Sequence, residues 1–183
     1  MARALGFSAA IAAVCMLPPS TLEAQGLCAQ CHLPPGCRGN GNQKKLDKPQ
    51  CQPLQLTIEQ AIDFGKVIVI GNGIGQVQLD PASGMTTVTG NLRDMGGWSF
   101  HGRALVTGAP GQAFVVDMPR MITMSNATGG TSQVVNFTTD LGNAVLDSNG
   151  RREFNFAGTL STNSSVITGG TFRGQLLISV SYP

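Results

Sequence analysis

The chain has 183 residues, with 12 Lys or Arg against 10 Asp or Glu, a formal net charge of +2, and charged residues at only 12%. So even a balance points to no partner chosen by bulk charge. The local cluster Arg38, Lys44, Lys45 and Lys48 lacks interleaved aromatics and reads as a solvated linker, so no nucleic-acid partner is expected.

Taken from the start, Met1-Ala2-Arg3 precedes the apolar run "ALGFSAAIAAVCML" and then "PPSTLEAQG", the pattern of a secretory signal peptide over residues 1–24. The run falls short of the roughly 20 residues that cross a bilayer as a helix, so no permanent membrane span is expected. Cleavage is expected after Ala24, with Leu22 and Ala24 at the processing positions. Lipidation at Cys15 is disfavoured by the bulk of Val14 just before it. The expected location is periplasmic, secreted or on the cell surface.

Residues 25–52 form a second unit. Its four cysteines, Cys28, Cys31, Cys37 and Cys51, are the only ones after the leader, and "LPPGCRGNGNQKKLDKPQCQP" has no apolar periodicity with which to build a core. Such a segment is mostly irregular and needs a staple. In an oxidising compartment the even count favours two disulfides. A CxxC loop closed on itself is strained, so the expected bonds join Cys28 or Cys31 to Cys37 and Cys51, with both pairings open.

The same stretch contains "CAQCH", the spacing by which haem is attached, with Cys28 and Cys31 as thioether donors and His32 as axial ligand. Haem also needs a second axial ligand and an enclosing apolar pocket. Pro34 and Pro35 follow at once, and the distal candidates His101, Met85, Met95, Met118, Met121 and Met124 are remote. A zinc site has one CxxC pair and no matching second pair. No cofactor is therefore expected, and a ligand-, metal- or haem-binding module at Cys28, Cys31 and His32 stands as the alternative function.

From residue 53 to 183 the pattern is all-β. Short β-branched or alternating runs at 54–58, 66–70, 76–80, 86–90, 103–108, 113–118, 132–140, 153–161 and 172–182 are separated by turn sequences such as "DPASG", "GAPG", "NATGG" and "DSNG". "TIEQAIDFG" hints at one helical turn. "GNGIG" has the glycines of a phosphate loop but no following helix, and reads as a hairpin turn. Eight to ten strands at this spacing predict an Ig-like antiparallel β-sandwich preceded by the Cys-rich segment.

These residues also carry a resemblance. "IDFGKVIVIGNGIGQVQLDPASGMTTVTG", then F-x-G-x-A-x-V-T-G at 100–108 and the ending "GGTFRGQLLISVSY" are similar to the bacterial DUF4402 family, over residues 54–182. The resemblance implies an exported β-sandwich of uncharacterised function, remotely like pilin and spore-coat subunits, and some members carry a CxxC pair just after the leader. It points to surface assembly.

Catalysis is not expected. The two histidines, His32 and His101, lie in different units, and Asp80, Asp94, Asp117, Asp140 and Asp147 fall at strand ends and turns where Asp bonds its own backbone. A calcium site at Asp140, Asp147 and Asn149 lacks a known loop spacing. Trp98, the only tryptophan, is the binding candidate: exposed, it would stack on a ligand, and buried, as the single copy favours, it would belong to the core. Met118, Met121 and Met124 read as packing and not as a copper site. The sequence-level function is thus an exported non-enzymatic structural or adhesion-type subunit. Its expected contacts are self-association or an envelope partner through edge strands, above all the long, nearly uncharged run at 172–182.

Overall fold

The computed structural model describes residues 10–12, 52–163 and 170–183. It is all-β: fourteen strands and no helix among the described residues, arranged as antiparallel sheets in a curled sandwich. The first strands are β1 (Ala10–Ala12), β2 (Gln55–Gln60), β3 (Ile62–Asp63), β4 (Val67–Val69), β5 (Ile74–Leu79), β6 (Thr86–Gly90) and β7 (Leu92–Asp94). They are followed by β8 (Gly102–Thr107), β9 (Val115–Asp117), β10 (Met121–Ser125), β11 (Thr131–Thr139), β12 (Arg151–Asn163), β13 (Arg173–Gln175) and β14 (Ser179–Ser181).

Period-two alternation sets which side chains enter the core. In β5, Gly75, Val77 and Leu79 are buried while Ile74, Gln76 and Gln78 face out. In β8 the inward set is Gly102, Ala104 and Val106. β11 changes parity part-way. Ser132 and Val134 are its buried residues, whereas beyond the register shift between Val135 and Thr138 the odd-numbered Phe137 packs on the core. Asn136, at φ 53°, sits in that shift, so a β-bulge moves the apolar set by one position without turning it outward.

β12 is the spine. Its first half pairs with β8, from Arg151 opposite Thr107 to Phe156 opposite Gly102, and its second half pairs with β5, from Thr159 opposite Gln78 to Asn163 opposite Ile74. Its other edge pairs with β11. One strand therefore gives the main sheet two branches, through β8 and through β5, and Phe154, Phe156 and Leu160 lie in the core with Val77, Leu79, Leu92, Met124 and Phe172. Each such side chain stabilises the fold by about 1.5–3 kcal/mol relative to leaving it exposed.

Three local expectations change. "TIEQAIDFG" is strand, not a helical turn: β2 and β3 with a bulge between Ile58 and Gln60. "GNGIG" is a bend between sheets and not a hairpin, because β4 pairs with β7 while β5 pairs with β6 and β12. The run at 172–182 is two strands. Leu176 and Ile178 enter the core and Leu177 faces out, so the alternation continues, but β13 pairs with β1 and β10 whereas β14 pairs with β9, and the run is divided between two sheets.

The main sheet runs in the order β2-β8-β12-β11-β10-β13-β1-β3, with β5 and β6 attached through β12. Only Ala61 separates β2 from β3, so the two ends of this order are one stretch of chain and the strands form a circuit.

Candidate functional site

Beside β3 the chain builds an exposed aromatic pair. β7 ends where Asp94 accepts a hydrogen bond from the Gly96 amide at 2.7 Å, and the Met95 amide donates to the Lys66 carbonyl at 2.9 Å. Gly96 and Gly97 then take φ of 79° and 107°, left-handed conformations that a side chain disfavours, and turn the chain outward. Phe100 is caught again by β3: its amide donates to the Asp63 carbonyl and the Asp63 amide to its carbonyl, both at 2.8 Å. Trp98 and Phe100, two apart on extended chain, project to one side and stack at 6.4 Å with planes 6° apart. Trp98 is 82% exposed and Phe100 42%. The core placement of Trp98 is thereby replaced by a surface one, because the Gly96-Gly97 turn carries it off the sheet before Phe100 rejoins it.

A second concavity, about 170 Å³, lies over β5, β11 and β12 and is lined by Gln76, Gln78, Asn136, Thr138, Gly158 and Thr159. Its lining is uncharged. It lies where Asn136 leaves the regular strand at the β11 bulge.

Asp80, Asp140 and Asp147 accept hydrogen bonds from nearby backbone or side chains. The Asp80 carboxylate accepts from the Ser83 amide at 2.7 Å, the Ser83 hydroxyl at 2.7 Å and the Ala82 amide at 3.1 Å. These bonds, the Ser83 amide first, hold its carboxyl below the ordinary value. Asp147 accepts from the Asn149 and Arg151 amides, both at 2.8 Å, and Asp140 accepts from the amide and side chain of Asn155. Asp140 and Asp147 thus serve different turns. Among the described residues no three His, Cys, Asp or Glu come together as a metal site. Met124 is buried and Met121 half-exposed on β10, three residues apart and so on opposite faces. His101 lies against the Asp80 turn, its Nδ1 buried and 3.1 Å from where a Cβ on Gly84 would stand.

Cys28, Cys31, His32, Cys37 and Cys51 lie outside the described residues, as does the leader apart from β1. Sequence reasoning selected Trp98 but missed Phe100 as its stacking partner, although W-x-F on extended chain after two glycines carried the signal. The uncharged concavity had no local signal, since it is made by the register of three strands distant in sequence.

The family model for a domain of unknown function, DUF4402, matches residues 54–182. The chain belongs to the DUF4402 family. No curated protein and no solved structure matches it. The DUF4402 domain contains every strand from β2 to β14, the Trp98–Phe100 pair and the concavity, whereas the four cysteines and β1 precede it. Among the described residues no helix is long and apolar enough to cross a membrane.

Proposed function

We propose that the chain is an exported, non-enzymatic subunit of cell-surface or periplasmic structure, making contact with like subunits or an envelope partner through its sheet edges. The observation that carries this reading is the exposed Trp98–Phe100 stack beside the two-residue strand β3. Exposed apolar surface marks a contact site, and Met95, three residues before Trp98 in the chain, is 54% exposed as well. The apolar leader supports export, and Asp80, Asp94 and Asp147, each bonded within its own turn, support the non-enzymatic part.

The test is to produce the full chain in an exporting host, weigh the intact protein and fractionate the cells. The expected product lacks residues 1–24 and is recovered from the envelope or medium. Trp98→Ala should lower its retention on the envelope while leaving its thermal midpoint unchanged, since the indole touches solvent and not the core. A cytoplasmic product with its leader intact, or undiminished retention of Trp98→Ala, contradicts the proposal.

The 82% exposed indole of Trp98 favours a second reading, a platform for the apolar face of a sugar. A fluorescence titration of Trp98 with neutral oligosaccharides separates it from the first, because a subunit contact requires no response.

A further inference from the structure

The strand circuit is closed by a segment that the mature protein would not keep. β1 lies between β13 and β3, parallel to the first (Ala10 opposite Arg173, Ile11 opposite Gly174, Ala12 opposite Gln175) and antiparallel to the second (Ala10 opposite Asp63, Ile11 opposite Ile62). On its other side β13 is paired with β10 only at Ser125 and Arg173. Because β2 and β3 are consecutive, β1 is the one member of the circuit that belongs to the leader. Its removal would leave a seam between β13 and β3 one strand wide, about 10 Å from strand to strand. Both rims would then present unpaired backbone N–H and C=O groups beside a buried Ile62.

We propose that this seam is a strand-acceptor site, filled in the assembled protein by residues 26–33 of a second copy. The inference rests on the export reading, which removes β1. An added strand supplies main-chain hydrogen bonds to both rims and an alternating apolar face to the core. Leu27, Ala29, Cys31 and Leu33 alternate with Cys28, Gln30 and His32, the period a strand requires, and Pro34-Pro35 ends the pattern. The occupant comes from a second copy and not the same chain because the apolar surface continues past the seam. Phe100 is bridged to the far side of β3, and Trp98 is stacked on it in solvent. The chain's own connector, "RGNGNQKKLDKPQ" at 38–50, has a single apolar residue with which to cover those rings, whereas a second domain brought in with its strand has a whole surface.

The experiment compares the processed protein, purified from an exporting host, with the variant Leu27→Asp/Ala29→Asp by light scattering over a wide concentration range. Both substitutions lie outside the DUF4402 domain, and the far-ultraviolet β-sheet signal of the variant verifies that the domain still folds. The expected result is concentration-dependent multimers whose dissociation constant rises at least tenfold in the variant, the consequence of placing two charges in a buried strand. A processed protein that is monomeric throughout, its seam filled by its own residues 26–33, overturns the proposal, as does a variant that assembles like the parent. Failure of the export reading is distinguished by intact mass, since the product would then retain residues 1–24 and the seam would stay filled by β1.

Discussion

Asp80 and Tyr182 show how single side chains tie this molecule together. Asp80 is fully exposed, yet three hydrogen bonds close the "DPASG" turn on its carboxylate and hold its pKa below 3.8. A group with a depressed folded-state pKa contributes stability that is complete above its unfolded value and is lost as pH falls through the folded one. Asp80→Asn, which keeps an oxygen acceptor but not the charge, should lower the urea midpoint near neutral pH. The gap from the parent should close as pH falls below the folded-state pKa, and a gap constant with pH would show that the charge is unimportant. Tyr182 acts over a longer range: its hydroxyl accepts from the buried Ala109 amide at 2.8 Å and donates to the Gln52 carbonyl at 2.9 Å, joining the residue after the last strand to the chain just ahead of the domain. Burial raises its pKa above 10.0, so its contribution is complete below 10.0 and is lost as pH rises through the folded-state value. It is the only tyrosine, so phenolate absorption should show a midpoint above 10.0 in the native protein and a return to that value in urea. Tyr182→Phe strands the Ala109 amide and should cost about 1–3 kcal/mol in chemical denaturation.

At the scale of the element, Gly102 and Phe156 stand directly opposite across β8 and β12, and a Cβ on Gly102 would fall within the Phe156 ring. The absent side chain is what lets Phe156 lie flat across the partner strand. Gly102→Ala should therefore destabilise the domain by about 1–3 kcal/mol in urea unfolding, with the β-sheet signal retained. A neutral result would mean that the ring moves aside freely. Strands such as β5, β6, β8 and β11 were legible because apolar and polar residues alternate between clear turn signals. β7 and β10 were not: "LRD" is three residues long, and "MITMS" places one buried methionine among exposed neighbours. The helical hint in "TIEQAIDFG" came from residues whose propensity yields to pairing, since β2 is held along its length by β8. The break between β13 and β14 depends on the change of partners from β1 and β10 to β9, a tertiary fact that an alternating sequence does not contain.

For the whole molecule, the all-β class and the sandwich were legible in turn spacing and strand length. The circuit was not, because it depends on which strands become neighbours. β12 pairs with two different partners along one edge, and β2 and β3 lie at opposite ends of the sheet order. The aromatic surface was half legible: one tryptophan is visible in any sequence, but its exposure follows from two glycines and one pair of bonds to Asp63. The exposed rings, the adjacent short strand β3 and the seam that β1 occupies lie along one border of the sandwich, and together they favour a subunit completed by its neighbour over a self-sufficient monomer. Hydrogen exchange on the processed protein, followed peptide by peptide at high and low concentration, tests this most directly. Amides of Ile62 and of the β13 residues that face the seam should be protected when concentrated and exchange rapidly on dilution, while that of Asp63, held by the Phe100 carbonyl, and those of β8 and β12 stay protected in both. Protection of the seam that is unchanged by dilution would contradict completion by a second copy.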